Sequence, residues 1–454
     1  MIKSPMPRPR TRAARLWRFL NQELGRPERV ASPRRQRGVA LIFVLVSVTL
    51  LGALTVDHTY KSQIDLASSN NARDEVKAEF LARSAINLAR IMLKVQERVI
   101  DRNRQAIGQF LGKDLQVSDI LPFLLEIFFG NSDLLQSFGM DRQDVRGLDI
   151  PRNYGLPRID AVDSEDGKLN VNCAFVRSET DTQVQLLAGE LLTLFMNPRY
   201  EELFQRLDEI DDPDRPRALA RAIIDYVDPD TAFFGGGGGA ENYKYSALED
   251  GYEEKNHLMD SVEELHLVQG INDEVWSHLG PSFTVYGSCM PNLCAVQPGN
   301  WMVAAAVIVK AAKDDKNPVL YDPILLAQVS QAALMTLQLS GCTDLGLFAQ
   351  GAANPSALMT AMSNPAALLG GGGVGAGANL PGVELDNQKL QGAAYIGARR
   401  FYRISVTGMA GYGGRDKLNN PIWRVHKSIT AVWDQQGFST ATGQRGMFVH
   451  WKQD

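Results

Sequence analysis

Residues 39–56 form a run of eighteen without a single charged side chain, and Arg34-Arg35-Gln36-Arg37-Gly38 stands immediately before it. At ~1.5 Å rise per residue such a run is about 27 Å long, enough to cross most of the ~30 Å hydrocarbon layer of a bilayer. A buried core helix is the competing reading, but core helices keep one polar stripe and this run keeps none. The basic flank sets the direction: positive charge stays on the cytoplasmic side, so everything after Val56 is expected outside the inner membrane.

The first 38 residues carry eleven Lys and Arg against two Glu, a net of +9 in a chain whose total is −5, which leaves −14 for the remainder. A body that acidic argues against non-specific nucleic-acid binding and suits a divalent cation or a basic partner. The Pro- and Arg-rich leader has little to bury and no reason to fold. It is not an ordinary secretory signal, because no small-x-small cleavage site closes the apolar run.

The Gly38/Val39 junction lies before the apolar run. That arrangement resembles the class III signal of type IV pilins and type II secretion pseudopilins, which prepilin peptidase cuts directly after the glycine. The resemblance implies that Val39 is the first mature residue and an N-methylation candidate, although Phe or Met is usual there. Most pilins place Glu at the fifth mature position, where this chain has Phe43. Within the family, the minor pseudopilin GspK is the member that characteristically lacks this Glu. In an assembled filament the Glu neutralises the N-terminus of the neighbouring subunit, so a subunit at the tip can do without it.

From Asp57 onward no breaker interrupts the helical pattern. Leu81, Ala85, Leu88, Ile91, Met92, Val95 and Val99 recur at three- and four-residue spacing and predict one apolar face for packing on a sheet. Residues 100–150 read as helical with apolar patches, the densest at 121–129. A strand is expected at 155–162, followed by Asp163-Ser164-Glu165-Asp166-Gly167, read as a solvated turn. Residues 179–226 read as a helical block, with Leu186, Leu187, Leu191, Leu194 and Phe195 on one stripe and Leu203, Leu207 and Ile210 on another.

Next comes Asp225-Tyr226-Val227-Asp228-Pro229-Asp230, then five glycines (235–239), Ala240, Glu241-Asn242-Tyr243, and later Asn256. Hard cations take six to eight oxygens from clustered carboxylates, amides and carbonyls. The EF-hand spacing is absent, so the residues alone leave a cation site and an acidic capping loop both open. Residues 223–230, the Gly-Gly-Ala-Glu-Asn-Tyr run, Tyr252, Asn256 and Ser261-Val262-Glu263-Glu264-Leu265 together resemble the GspK signature. That resemblance implies a large helical domain inserted into a pilin fold, bound calcium with Asp228, Asp230, Glu241 and Asn242 as ligand candidates, and GspI-like and GspJ-like minor pseudopilins as partners.

Residues 261–287 read as helix, turn and helix. DNA-binding hairpins place basic residues around such a turn; here Glu263, Glu264, Asp273 and Glu274 surround it, and no Lys or Arg falls between Asn256 and Trp301. Packing is therefore the expected role. Four cysteines lie beyond the membrane segment, in an oxidising compartment on this topology. Cys289 and Cys294 are five apart around a proline and read as a small disulfide loop, while Cys173 and Cys342 could pair or stay free. Helices are expected at 302–310 and 324–339, a low-complexity loop at 354–377, and three alternating strands at 400–407, 423–433 and 445–451.

No Walker A loop, G-x-S-x-G, H-E-x-x-H or zinc spacing occurs, which favours a structural protein over an enzyme. The expected class is α+β: a pilin-like long helix on a small antiparallel sheet, with a mainly α-helical insert. The boundaries read as leader 1–38, transmembrane helix 39–56, its amphipathic continuation 57–100, start of the head 101–162, helical insert 163–290, helices and Gly-rich loop 291–395, and sheet strands 396–454. The leading function is a minor pseudopilin of type II secretion at the pseudopilus tip, single-pass in the inner membrane with its body in the periplasm. The alternatives are a type IV pilus minor pilin and a hairpin-based DNA-uptake protein.

Overall fold

The computed structural model describes residues 36–96, 154–176, 178–207, 212–236, 245, 251–356, 380–416, 421–439 and 444–454. The expectations for residues 100–150 and for the glycine tract after Gly236 fall outside these. The chain divides into two compact units, residues 1–70 and 71–454. In the first, helix α1 (Gln36–Val95) begins, and every side chain from Gly38 to Ser69 is exposed. Among the described residues this is the one helix long and apolar enough to cross a membrane.

In the second unit, the rest of α1 lies on a four-stranded antiparallel sheet of order β1-β4-β5-β6: β1 (Leu156–Ser164), β4 (Phe401–Arg415), β5 (Pro421–Ser439) and β6 (Gln444–Gln453). The three C-terminal strands are where the alternation places them. The fourth, β1, pairs with β4 across more than two hundred residues, from Leu156↔Met409 to Ser164↔Tyr402. The fold is α+β, with a helical unit inserted between β1 and β4.

The helix meets the sheet through a different face from the one its periodicity suggests. Ala82, Ala85, Ile86, Ala89 and Leu93 are buried against Ile159, Tyr402, Ile404, Val406, Ile429, Ala431 and Trp433, and Ala78 is buried one turn earlier. A Cβ at Gly408 would overlap the Ala78 carbonyl oxygen, so backbone touches backbone there and only small side chains fit. Of the expected face, Leu81 and Ala85 are buried, while Leu88 and Met92 are half-covered. Ile91 and Val95 are 54% and 41% exposed, and Val99 lies outside the described residues. Close approach at Gly408 selects the alanines and turns the bulkier stripe to the flank.

The insert contains α2 (Thr182–Phe195), α3 (Glu201–Gln205), α4 (Arg215–Asp225), α5 (Asp273–Leu279), α6 (Trp301–Ala311), α7 (Pro323–Leu339), α8 (Leu345–Ala353) and α9 (Asn387–Ala393). A two-residue parallel pair, β2 (Leu169–Asn170) with β3 (Phe283–Thr284), lies among them. One hydrophobic core runs from Leu169 to Ala394, so the segments 163–290 and 291–395 share an interior. The stripe Leu186, Leu187, Leu191, Leu194 and Phe195 is buried as expected, and so are Leu203 and Leu207.

The Asp163–Gly167 segment is not a solvated turn. Ser164 caps a single 3-10 turn, Glu165–Gly167, all of it buried. The Glu165 carboxylate pairs with Lys168 Nζ at 2.7 Å and Arg403 Nε at 2.9 Å, and accepts the Thr284 hydroxyl at 2.5 Å. Burial by itself would push this carboxyl up, but the two cations hold it below the usual carboxylate range. Asp166 Oδ2 accepts the backbone N–H groups of Arg400 (2.7 Å) and Phe401 (2.9 Å), and its carbonyl accepts Asn292 N–H. Arg400 in turn makes a two-pronged pair with Asp434 at 2.8 and 2.7 Å. Breaking a buried pair from one side strands the other charge. Arg403→Met is therefore expected to cost about 3–5 kcal/mol in denaturant unfolding, most of it from Glu165 left without its guanidinium.

The cysteine expectation is corrected. Cys289 is bonded to Cys173 (Cα–Cα 5.6 Å) and Cys294 to Cys342 (Cα–Cα 5.9 Å). The intervening residues cannot close on themselves because they pair elsewhere: Leu293 N–H donates to Tyr395 O, Tyr395 N–H to Pro291 O, and Asn292 Nδ2 to Gly397 O. The two cysteines thus face different neighbours. Their bridges close spans of 116 and 48 residues, worth about 4–5 kcal/mol each on the chain-entropy account. Peptide mapping without reduction is expected to recover 173–289 and 294–342 linked pairs; a 289–294 peptide would contradict this topology.

Candidate functional site

Helix α4 starts at Asp214, whose side chain accepts Arg217 N–H, and Pro216 sits within its first turn. Its buried face (Leu219, Ile223, Ile224) seats it in the core, and this carries Asp225 at its last turn into a buried position. Asp225 Oδ1 accepts Phe234 N–H at 2.8 Å, closing the loop that follows the helix. Asp228 is 5% exposed, and its Oδ1 has no hydrogen-bond partner. Asp230, two residues on, is exposed and accepts Ala232 N–H at 2.9 Å. Asn256 holds a left-handed backbone (φ 45°), donates its N–H to Tyr226 O at 3.1 Å, and keeps a buried Oδ1 with no partner.

Charge accumulates here. Burial pushes the Asp228 carboxyl up to about 8, and Asp230, Asp225 and Glu179 add to the rise. Burial likewise pushes Asp225 up to about 7, against the Phe234 N–H and Arg221, with Glu254 and Glu179 raising it further. Glu254, itself buried, is also raised, first by desolvation. A group of carboxylates in this state takes up protons or a cation. Among the described residues no three His, Cys, Asp or Glu side chains already converge as a metal cage. Of the four ligand candidates, Asp228 and Asp230 stand on one turn, while Glu241 and Asn242 lie outside the described residues. Asp225, Glu179 and Glu254 join the cluster without having been singled out. Asp225 was legible from its place in the Asp-x-x-Asp-x-Asp run, but Glu179 reaches the site only through the fold.

The predicted helical hairpin has an altered first leg. Residues Val262–Leu267 form a 3-10 helix with a Ser261/Glu264 capping box, and α5 follows, capped by Asn272. Glu263 reaches Arg403 Nη1 at 3.4 Å, and Lys255 bridges Asp260 and Glu264 at 2.8 and 2.7 Å. Its acids are thus engaged inside the unit. In the first unit, Gly38, Val39 and Phe43 all fall on α1; Phe43 is 69% exposed and Gly38 has open space around it.

Asp225 and Asp228 have folded values above their unfolded ~3.9, so the folded state binds more protons between about pH 4 and 8. Without divalent ions, stability is therefore present at acid pH and lost as pH rises through that window. Melting scans in EDTA are expected to show Tm falling from pH 5 to 8, and Asp228→Asn is expected to flatten the fall. Identical slopes in both proteins would show that this carboxyl does not titrate as described.

Residues 167–288 match the family model for Type II secretion system (T2SS), protein K. No curated protein matches the chain. Among solved structures, the GspK-GspI-GspJ complex from enterotoxigenic Escherichia coli is similar at 12% identity and a TM-score of 0.41, covering 67% of this chain and 82% of that one. Asp225, Asp228, Glu254, Asn256 and the hairpin all fall inside the matched segment. Over residues 167–288, about a quarter of its length, this chain is similar to the type II secretion system protein K family.

Proposed function

We propose that the chain is a minor pseudopilin of a type II secretion system, placed at the tip of the pseudopilus. The observation that carries this is the protein K match over residues 167–288 in a chain that also carries a membrane-length apolar helix from Gly38. On this reading Arg34, Arg35 and Arg37 keep the leader cytoplasmic, prepilin peptidase cuts between Gly38 and Val39, and the body from residue 71 works in the periplasm. Phe43 supports the tip position, because a subunit with nothing above it needs no Glu to neutralise a neighbour's N-terminus. The bulky insert between β1 and β4 fits a subunit that ends a filament. Its role is structural, and its partners are GspI-like and GspJ-like minor pseudopilins, the components named in the similar solved complex.

Calcium belongs to the same proposal. Asp228 and Asp230, with the sequence candidates Glu241 and Asn242 and the newly recognised Asp225, are the oxygens that would hold it; the unpartnered Asp228 Oδ1 and Asn256 Oδ1 suit a hard cation. The ion's chemistry is charge neutralisation, which ties the acidic loop to the end of α4. The DNA-uptake reading gains nothing from the hairpin, whose carboxylates face Arg403 and Lys255.

The mature chain co-expressed with its two minor-pseudopilin partners is expected to purify as a ternary complex, with Val39 as the N-terminal residue. No complex at micromolar concentration, or a different N-terminus, overturns the assignment. Separately, EDTA is expected to lower Tm at pH 7.5, with recovery on adding Ca²⁺ but not Mg²⁺. An unchanged melting curve removes calcium and leaves the pseudopilin assignment standing.

A further inference from the structure

At the passage from β1 into the insert the protein holds a cavity of about 350 Å³, within the size range of small-ligand pockets. Its inner lining comes from Gly167 and Lys168, just after β1, and from Trp301 and Met302 at the start of α6. Its exposed lining comes from Arg199, on the 3-10 turn Pro198–Tyr200 between α2 and α3, and from His278 in the last turn of α5. None of these residues belongs to the acidic cluster at the end of α4.

Most polar groups of the lining already have partners. Lys168 Nζ is held by Glu165 at 2.7 Å, and Asp163, the one carboxylate lining the cavity, accepts Gln297 Nε2. Ser282 donates to Asn300 Oδ1 at 2.7 Å, and Asn300 Nδ2 donates to Pro281 O at 3.3 Å. Two groups are left over. Arg199 is exposed, and among the described residues no carboxylate pairs with its guanidinium. Its backbone is nonetheless fixed: Asn197 Oδ1 accepts Arg199 N–H at 3.0 Å, and the next residue, Tyr200, is buried. His278 packs edge-on against the Tyr200 ring, with centroids 6.3 Å apart. Its Nδ1 lies 2.9 Å from Glu274 O and so carries the hydrogen, which leaves Nε2 as an acceptor.

An unpaired guanidinium in a body of strongly negative net charge draws an anion, and its planar fork fits a carboxylate. An inorganic anion such as sulfate would satisfy Arg199 and leave His278 without a donor. The end of a peptide supplies both, a terminal carboxylate and the amide N–H beside it. Tyr200, Trp301 and Met302 offer apolar surface for its last side chain.

We infer that this cavity binds the C-terminal carboxylate of a peptide or protein chain, with Arg199 on the carboxylate and His278 Nε2 accepting the adjacent amide N–H. The site lies where sheet and insert join, and it stands whether or not the chain caps a pseudopilus.

The test titrates the full-length protein in detergent micelles with acetyl-Ala-Ala-Ala as the free acid, the same peptide as its C-terminal amide, and sodium sulfate. The free acid is expected to bind saturably with a Kd below about 1 mM, and the amide at least tenfold more weakly. Arg199→Gln is expected to weaken the acid at least tenfold with Tm unchanged, because the side chain is exposed. His278→Phe keeps a ring against Tyr200 and removes the acceptor, so it is expected to weaken the acid severalfold. Equal binding of acid and amide, undiminished binding of the acid to Arg199→Gln, sulfate binding as tightly as the acid, or no saturable binding of the acid up to about 10 mM would each overturn the inference.

Discussion

The carboxylate of Glu165, wholly buried between Lys168 and Arg403, holds together the two halves of the folded body. The chain leaves the sheet at the end of β1 and comes back at β4, and Asp166 binds Arg400 N–H across a separation of 234 residues. An insertion this long has a large closure entropy, which a specific junction must offset. Gathering five charges at this junction is tolerable only where each finds a partner, and here each does: Glu165 with Lys168 and Arg403, and Arg400 with Asp434. The Cys173–Cys289 bridge lies in the same insert and restrains its first half by covalent means.

Small residues do comparable work on the other side of the sheet. The alanines of α1 and Gly408 of β4 bring backbone against backbone, so that the helix is seated by shape more than by bulk. A face of alanines contributes little burial per residue, about one methyl each, but it leaves no freedom in register. The larger side chains of the helix are then available for other contacts along its length.

The acidic cluster follows a different logic. Carboxylates at Asp225, Asp228 and Glu254 are held out of water near Asp230 and Glu179, with Arg221 as an opposing charge beside Asp225. Such an arrangement weakens a fold at neutral pH unless protons or a cation occupy it. A stored electrostatic cost at one end of a core helix is the mark of a position kept for something other than stability.

Much of this was legible from the residues in order. The membrane-length run, the Leu stripe of α2, the C-terminal strands, and the protein K pattern around Asp225–Leu265 are all local, set by periodicity, charge and spacing along a few turns of chain. What the sequence left open were choices among partners far apart in the chain. Cys289 and Cys294 invite pairing by proximity, yet Asn292 and Tyr395 pull them to Cys173 and Cys342. The Glu165–Asp166 turn reads as solvated until Arg403 and the start of β4 cover it, and the apolar period of α1 points to its leucines until Gly408 admits its alanines. Sequence alone determined what each segment is, because helix, strand and membrane span depend on near neighbours. Only the tertiary structure decided which face is used and which charge is paired, because contacts across hundreds of residues carry no local period.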